Sequence, residues 1–161
     1  MRIAFSLKVL SPKALSPTAL SLTAYSTIIP KSLSLRHNII VPMALISLEN
    51  MEFFSYHGCF AEEQLIGTRF LVNLIVETDT SEAALDDNIQ KTINYVTLYQ
   101  LVKTEMDIKS KLLENVSLRI MTSILEQFSQ IKWIKVKISK MNPPIGGKAE
   151  SVSVTLTSDD L

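Results

Sequence analysis

Ile134-Lys135-Val136-Lys137-Ile138-Ser139, and later Ser151-Val152-Ser153-Val154-Thr155-Leu156, alternate one apolar side chain with one polar side chain. A period of two puts the apolar set on one face of a strand and the polar set on the other. Such half-apolar strands belong to an antiparallel sheet covered on one side only. Upstream, Phe70, Val72, Leu74 and Val76 repeat the period and predict a strand across about residues 68–79. Residues 45–49 read as a short strand that leads through Asn50-Met51-Glu52 to the aromatic stretch Phe53-Phe54-Ser55-Tyr56. Between these strands the spacing turns helical. Tyr95, Leu98, Tyr99, Val102 and Met106 form one apolar stripe; Leu113, Val116, Ile120, Ile124 and Phe128 form another, after Ser110 as candidate N-cap. The order β-β-α-α-β-β predicts an α+β fold, a four-stranded antiparallel sheet with two helices packed on one face. That design leaves a polar face and two open edges, which copies of the chain can resolve by pairing into an oligomeric barrel.

Composition narrows the function. The chain has 161 residues, enough for one domain with a hydrophobic core, and equal numbers of basic and acidic residues, 16 of each. The charge is unevenly spread. Residues 1–42 hold five bases (Arg2, Lys8, Lys13, Lys31, Arg36) and no acid, so residues 43–161 carry 11 − 16 = −5. An acidic domain offers no electrostatic footprint to nucleic acid. No segment approaches the ~20 apolar residues of a membrane-spanning helix, so neither nucleic acid nor membrane is an expected partner. Cys59 is the sole cysteine, which excludes an intrachain disulfide and fits a reducing, cytoplasmic setting.

Residues 1–42 read as a leader separate from a domain at 43–161. They are rich in Ser, Leu, Thr and Pro, with a near-repeat of Ser-Pro-Lys-Ala-Leu and Ser-Pro-Thr-Ala-Leu at 11–20. Three readings stand: an organelle transit peptide, an over-extended start upstream of Met43, or a disordered tail broken by Pro12, Pro17 and Pro30. The second is preferred because Met43-Ala44-Leu45-Ile46 leads straight into a strand. None gives the leader a chemical role.

Several chemistries fall away. His37 lies in the leader, and His57 with Cys59, Glu62 and Glu63 matches no zinc-finger or zincin spacing, so no metal is expected. His57 and Cys59 share one side of an extended segment, but as a loop histidine and a half-buried cysteine rather than as a nucleophilic pair. The phosphate-cradling glycine motifs are missing. What remains is Glu63, Tyr95, Glu114 and Lys140 near the ends of elements. Read singly, Glu114 is a favourable acid in a first helical turn, Lys140 a solvated lysine, and Tyr95 a helix-start aromatic packed on the sheet.

Taken together the residues are more specific. Tyr56-His57-Gly58 with Glu63 and Gly67, then Asp87-Asn88 with Thr92-Ile93-Asn94-Tyr95, then Leu112-Leu113-Glu114, then Lys140-Met141-Asn142-Pro143-Pro144-Ile145 resemble the dihydroneopterin aldolases in order and spacing. The resemblance spans about residues 44–157. It departs at Thr68, where the family usually has Gln, a change expected to touch the pocket rim or subunit contacts more than the chemistry.

The resemblance implies the tunnelling fold: four subunits close one barrel, two rings stack into an octamer, and active sites lie at subunit interfaces. It implies a small-molecule pterin as partner, with Glu114 accepting from the ring's 2-amino group and N3, and backbone near Leu113 and near Ile93 of a neighbouring subunit holding the ring. Lys140, Tyr95 and Glu63 are implied as the groups around the side-chain hydroxyls and N5, with Glu63 also binding substrate. No cofactor is implied, because the dihydropterin carries its own imine. The expected reaction is a retro-aldol cleavage, with C2′ epimerisation on the side. Two alternatives share much of this reading: a dihydroneopterin triphosphate epimerase on the same fold, and a catalytically silent pterin-binding oligomer.

Overall fold

The computed structural model describes residues 43–160; the expected leader, residues 1–42, lies outside the described residues. The four strands are β1 (Met43–Ser55), β2 (Thr68–Asp79), β3 (Trp133–Met141) and β4 (Ser151–Thr157), in the spatial order β1-β2-β3-β4 with every pair antiparallel. Two long helices, α3 (Tyr95–Asp107) and α4 (Leu113–Gln127), pack together and cover one face. Two short helices precede them, α1 (Ala61–Ile66) and α2 (Ser81–Asp86). The expected α+β order therefore holds, with the two six-residue helices added. Neither buries a residue, so neither leaves an apolar period in the sequence.

The core lies where the alternation puts it. Phe70, Val72, Leu74 and Val76 of β2 and Ile134, Val136 and Ile138 of β3 are fully buried beneath Leu98, Val102, Val116, Ile120 and Ile124 of the helices. The register pairs these strand residues directly, Val72 with Ile138, Leu74 with Val136 and Val76 with Ile134. Phe70 pairs with Lys140. Lys140 thus continues the buried face of β3 at its far end, where the helical cover gives way.

β1 runs further than the sequence period announces. Leu48 pairs with Leu74 and Met51 with Val72, so one extra residue is inserted on β1. Asn50 absorbs it with a left-handed φ of 53°, and its amide donates to Asn73 Oδ1 at 2.8 Å. The bulge reverses the phase of all that follows. Ile46 and Leu48 face inward before it; Met51, Phe53, Ser55 and His57 face inward after it. A strand whose parity changes midway has no single period, which is why only residues 45–49 are legible as strand.

His57 ends that inward series fully buried, edge-on to Phe70 at 5.2 Å between ring centroids. Neither ring nitrogen makes a well-aligned hydrogen bond. Burial, then the Arg119 charge, and to a smaller extent Lys140, lower its pKa from 6.5 to about 4; the Met106 carbonyl opposes them only in part. Its folded pKa lies below its unfolded one, so between pH 6.5 and about 4 the unfolded chain holds the extra proton. Stability must then fall as the medium is acidified. We expect unfolding free energy to drop by roughly 2 kcal/mol between pH 7 and pH 5, measured by urea titration. His57→Gln should flatten that slope; an equal slope in the variant would assign the dependence elsewhere.

Among the described residues no helix is long and apolar enough to cross a membrane.

Candidate active site

Of the polar residues singled out from sequence, Glu63 and Lys140 share one cleft and Tyr95 lines another, while Glu114 lines neither. The first lies where β1 leaves the sheet, below the start of α4. His57, Gly58, Glu63, Leu113, Lys140 and Pro143 are in its wall, with Cys59, Lys111 and Val152. A neighbouring cleft shares Glu63, Lys140 and Pro144 and extends to Thr68, so the departure from the family pattern stands on the rim.

Lys140 and Glu63 meet here. The ammonium donates to Glu63 Oε1, and each side chain is only 13% exposed. Lys140 is therefore no solvated lysine: its inward parity on β3 carries it into the sheet's covered face. Glu63 Oε2 also accepts from the Phe60 amide at 3.4 Å. Burial alone raises the pKa of Glu63, but the Lys140 ammonium and the Phe60 and Cys59 amides together hold it below the ordinary 4.5. The carboxylate stays ionised at neutral pH, and the pair is lost only as pH falls through that lowered value.

The far wall is the start of α4. Ser110, expected as its N-cap, is not the cap. Ser110 Oγ donates instead to Asn115 Oδ1 at 2.9 Å, and its carbonyl accepts from the Gly58 amide at 3.0 Å. The N-cap position is Leu112, whose side chain accepts nothing. The first amides of a fifteen-residue helix are therefore free to bind an acceptor, with the positive end of the helix dipole behind them. Leu113 stands in the cleft wall; Glu114 follows it on the exposed surface of the first turn. Asn142, at φ 49°, turns the chain out of β3 and brings Pro143, Pro144 and Ile145 around the mouth.

Tyr95 and Ile93 are elsewhere. They line a separate cleft with Ile46, Asp87, Asn88 and Thr92, which contains none of Glu63, Lys140 or Leu113. The block 87–95 is a run of caps. Asp87 ends α2 in the left-handed conformation, Asn88 caps the 3₁₀ turn Ile89–Lys91, and Asn94 Oδ1 accepts from the Val96 amide at 2.9 Å. This capping fixes Tyr95 as the first residue of α3, where it is 62% exposed rather than packed on the sheet. Ile93 is buried, leaving its backbone as the part that could face a ligand. One chain thus presents two separate clefts: an ion pair beside a free helix start, and an exposed tyrosine on a capped turn.

Cys59 is exposed rather than half-buried, with Sγ 3.4 Å from the Lys111 carbonyl. Sequence reasoning passed over Lys111, which lines the first cleft from the loop before α4. Among the described residues no group of three His, Cys, Asp or Glu is placed to hold a metal ion.

Comparison with known proteins gives the family. A family model described as dihydroneopterin aldolase (FolB) matches residues 46–157. The dihydroneopterin aldolase of Bacillus subtilis (strain 168) is 39% identical over 116 residues, covering 71% of this chain and 97% of the relative. That of Streptococcus pyogenes serotype M1 is 38% identical over 118 residues, with the same coverage of 71% and 97%. Among solved structures, Escherichia coli dihydroneopterin aldolase in complex with neopterin superposes with a TM-score of 0.66 at 21% identity, covering 71% of this chain and 98% of that one. Dihydroneopterin aldolase from Burkholderia thailendensis bound to guanine gives 0.59 at 17%, covering 71% and 89%. With a family match across nearly all the described residues, and relatives spanned almost end to end, this chain belongs to the dihydroneopterin aldolase family.

Proposed function

We propose that the chain is a lyase that cleaves 7,8-dihydroneopterin into 6-hydroxymethyl-7,8-dihydropterin and glycolaldehyde. The observation that carries this reading is the Lys140–Glu63 pair, held between β3 and α1 within reach of the uncapped start of α4. The ring is to be held at that helix start, with the Glu114 carboxylate accepting from the 2-amino group and N3 as two parallel donors. Neopterin and guanine, bound in the Escherichia coli and Burkholderia relatives, share the aminopyrimidinone edge that such a carboxylate reads.

The chemistry needs few groups. A base removes the proton of the 2′-hydroxyl, the C1′–C2′ bond breaks, and glycolaldehyde leaves. The bonding pair moves through C6 onto N5, so the substrate's own N5=C6 imine accepts the electrons that other aldolases send into a lysine Schiff base or a metal. N5 takes up a proton as the pair arrives, giving the enamine; C1′ is then protonated, N5 gives its proton up, and the imine reforms. Lys140 and Glu63 are the groups that hold and move these protons, work worth on the order of 10²–10⁴ per positioned group. Tyr95 is to complete the site from a second copy of the chain, since its own cleft is separate. This is the reason to read the enzyme as a homo-oligomer, with an octamer the expected form. Recombination of the enamine with glycolaldehyde in the other orientation gives C2′ epimerisation as a side reaction.

The test is incubation with 7,8-dihydroneopterin in the presence of EDTA, with pterins separated by chromatography and glycolaldehyde trapped. Equal amounts of hydroxymethyl-dihydropterin and glycolaldehyde are expected despite the chelator. The C2′ epimer alone would make the chain an epimerase, and no turnover with tight pterin binding would make it a silent binder.

A further inference from the structure

Gly58 occupies the point where the two walls of the first cleft join. Its φ of +153° is a conformation that side-chain-bearing residues rarely adopt. A Cβ placed there would lie 2.1 Å from Glu63 Oε2, 2.7 Å from Glu63 Cδ and 2.9 Å from Glu63 Cβ, so the Glu63 side chain, its carboxylate closest, fills the space a side chain would need. Both peptide groups of Gly58 are also committed. The N–H donates to the Ser110 carbonyl at 3.0 Å, and the carbonyl accepts from Gln64 Nε2 at 2.8 Å. Through the first it is tied to the loop that delivers α4; through the second it is tied to α1, which carries Glu63. That second tie is reinforced where Lys109 Nζ donates to the Gln64 carbonyl at 3.1 Å.

We propose that Gly58 is a positioning residue for the cleavage reaction: its missing side chain lets Glu63 fold back onto the main chain and meet Lys140, while its peptide groups set the spacing between that pair and the start of α4. The inference rests on the reading of Glu63 and Lys140 as the proton-handling pair. A methyl group at 58 would turn Glu63 out of the cleft. The carboxylate end can swing into solvent, but the Glu63 Cβ and the positive φ cannot be relieved that way, so the expected loss of alignment comes with some loss of stability.

The discriminating experiment is a double-mutant cycle of Gly58→Ala with Glu63→Ala. In the wild-type background Gly58→Ala should lower kcat about 10²-fold, the lower end for one positioned group, with KM changed less than about threefold. In the Glu63→Ala background, where no carboxylate is left to displace, it should cost less than about threefold more. A full second loss there would overturn the proposal. A second readout does not need turnover: the Glu63 carboxyl, followed by carbon NMR in labelled protein, should titrate closer to the ordinary glutamate range in Gly58→Ala. An unchanged titration would overturn the proposal as well. If wild-type protein fails to turn over dihydroneopterin, the reaction assignment falls while this titration still decides the role of Gly58. If Gly58→Ala does not fold, the double variant decides. Recovery of folding on removing Glu63 supports the steric account, and failure of both assigns Gly58 to backbone geometry alone.

Discussion

Lys140→Ala should lose about three orders of magnitude in turnover of dihydroneopterin, within the 10²–10⁴ range of a positioned acid–base group. The same change leaves the Glu63 carboxylate, 13% exposed, without its cation. The cost in stability should be about 2 kcal/mol, between that of an exposed pair and a fully buried one. Activity and stability can be separated by Lys140→Arg. A guanidinium still pairs with Glu63, so urea unfolding should stay near wild type, but it does not give up its proton in a protein. Its turnover should remain as low as that of the alanine variant. Near-normal turnover in Lys140→Arg would show that only the positive charge matters.

The status of Lys140 was within reach of the sequence alone. Ile134, Val136, Ile138 and Lys140 share one parity, and a strand that buries the first three aims the fourth inward too. Its partner shows in no local pattern, and only the family resemblance sets Glu63 near it. Glu63 lies 77 residues away, on a helix too short to show a period and dictated by no pattern in β3. The bulge at Asn50 hides in the same way. It reverses the phase of β1 without any glycine or proline to mark it, and the burial of His57 follows from that reversal. Ser110 has the residue type of an N-cap but stands two residues before the cap position, Leu112. It is instead drawn to Asn115 and Gly58, tertiary contacts that outweigh propensity. By contrast, β2 and the middles of the two long helices are legible, since Leu98, Val102 and Met106 of α3 and Val116, Ile120 and Ile124 of α4 are buried at the spacing read from sequence.

The second large effect concerns Tyr95. Tyr95→Phe keeps the ring and removes the hydroxyl, and as a lost positioned group it should cost about 10²-fold in turnover. If the working site joins the Lys140 cleft of one copy to the Tyr95 cleft of another, defects in the two residues are complementary. Lys140→Ala and Tyr95→Phe subunits, dissociated together and reassembled at equal ratio, would place an intact Lys140 against an intact Tyr95 at about a quarter of the interfaces. Turnover should then rise to roughly a quarter of wild type, far above either parent. A mixture no better than the sum of its parents would place both residues in one subunit's site. The clefts are formed by different elements, β3 and α1 for one and α3 with the turn before it for the other, and this separation is what the complementation reads.

The measurement that bears most directly on the central claim is the cleavage reaction run in D2O, with the pterin product analysed by mass and proton NMR. Bond breaking into the substrate's imine leaves an enamine that must take a proton from a solvent-exchangeable group at C1′. The account therefore predicts one deuterium at the hydroxymethyl carbon of the product for each glycolaldehyde released. Product that carries no deuterium at that carbon, or an epimer formed with no release of glycolaldehyde, would contradict it.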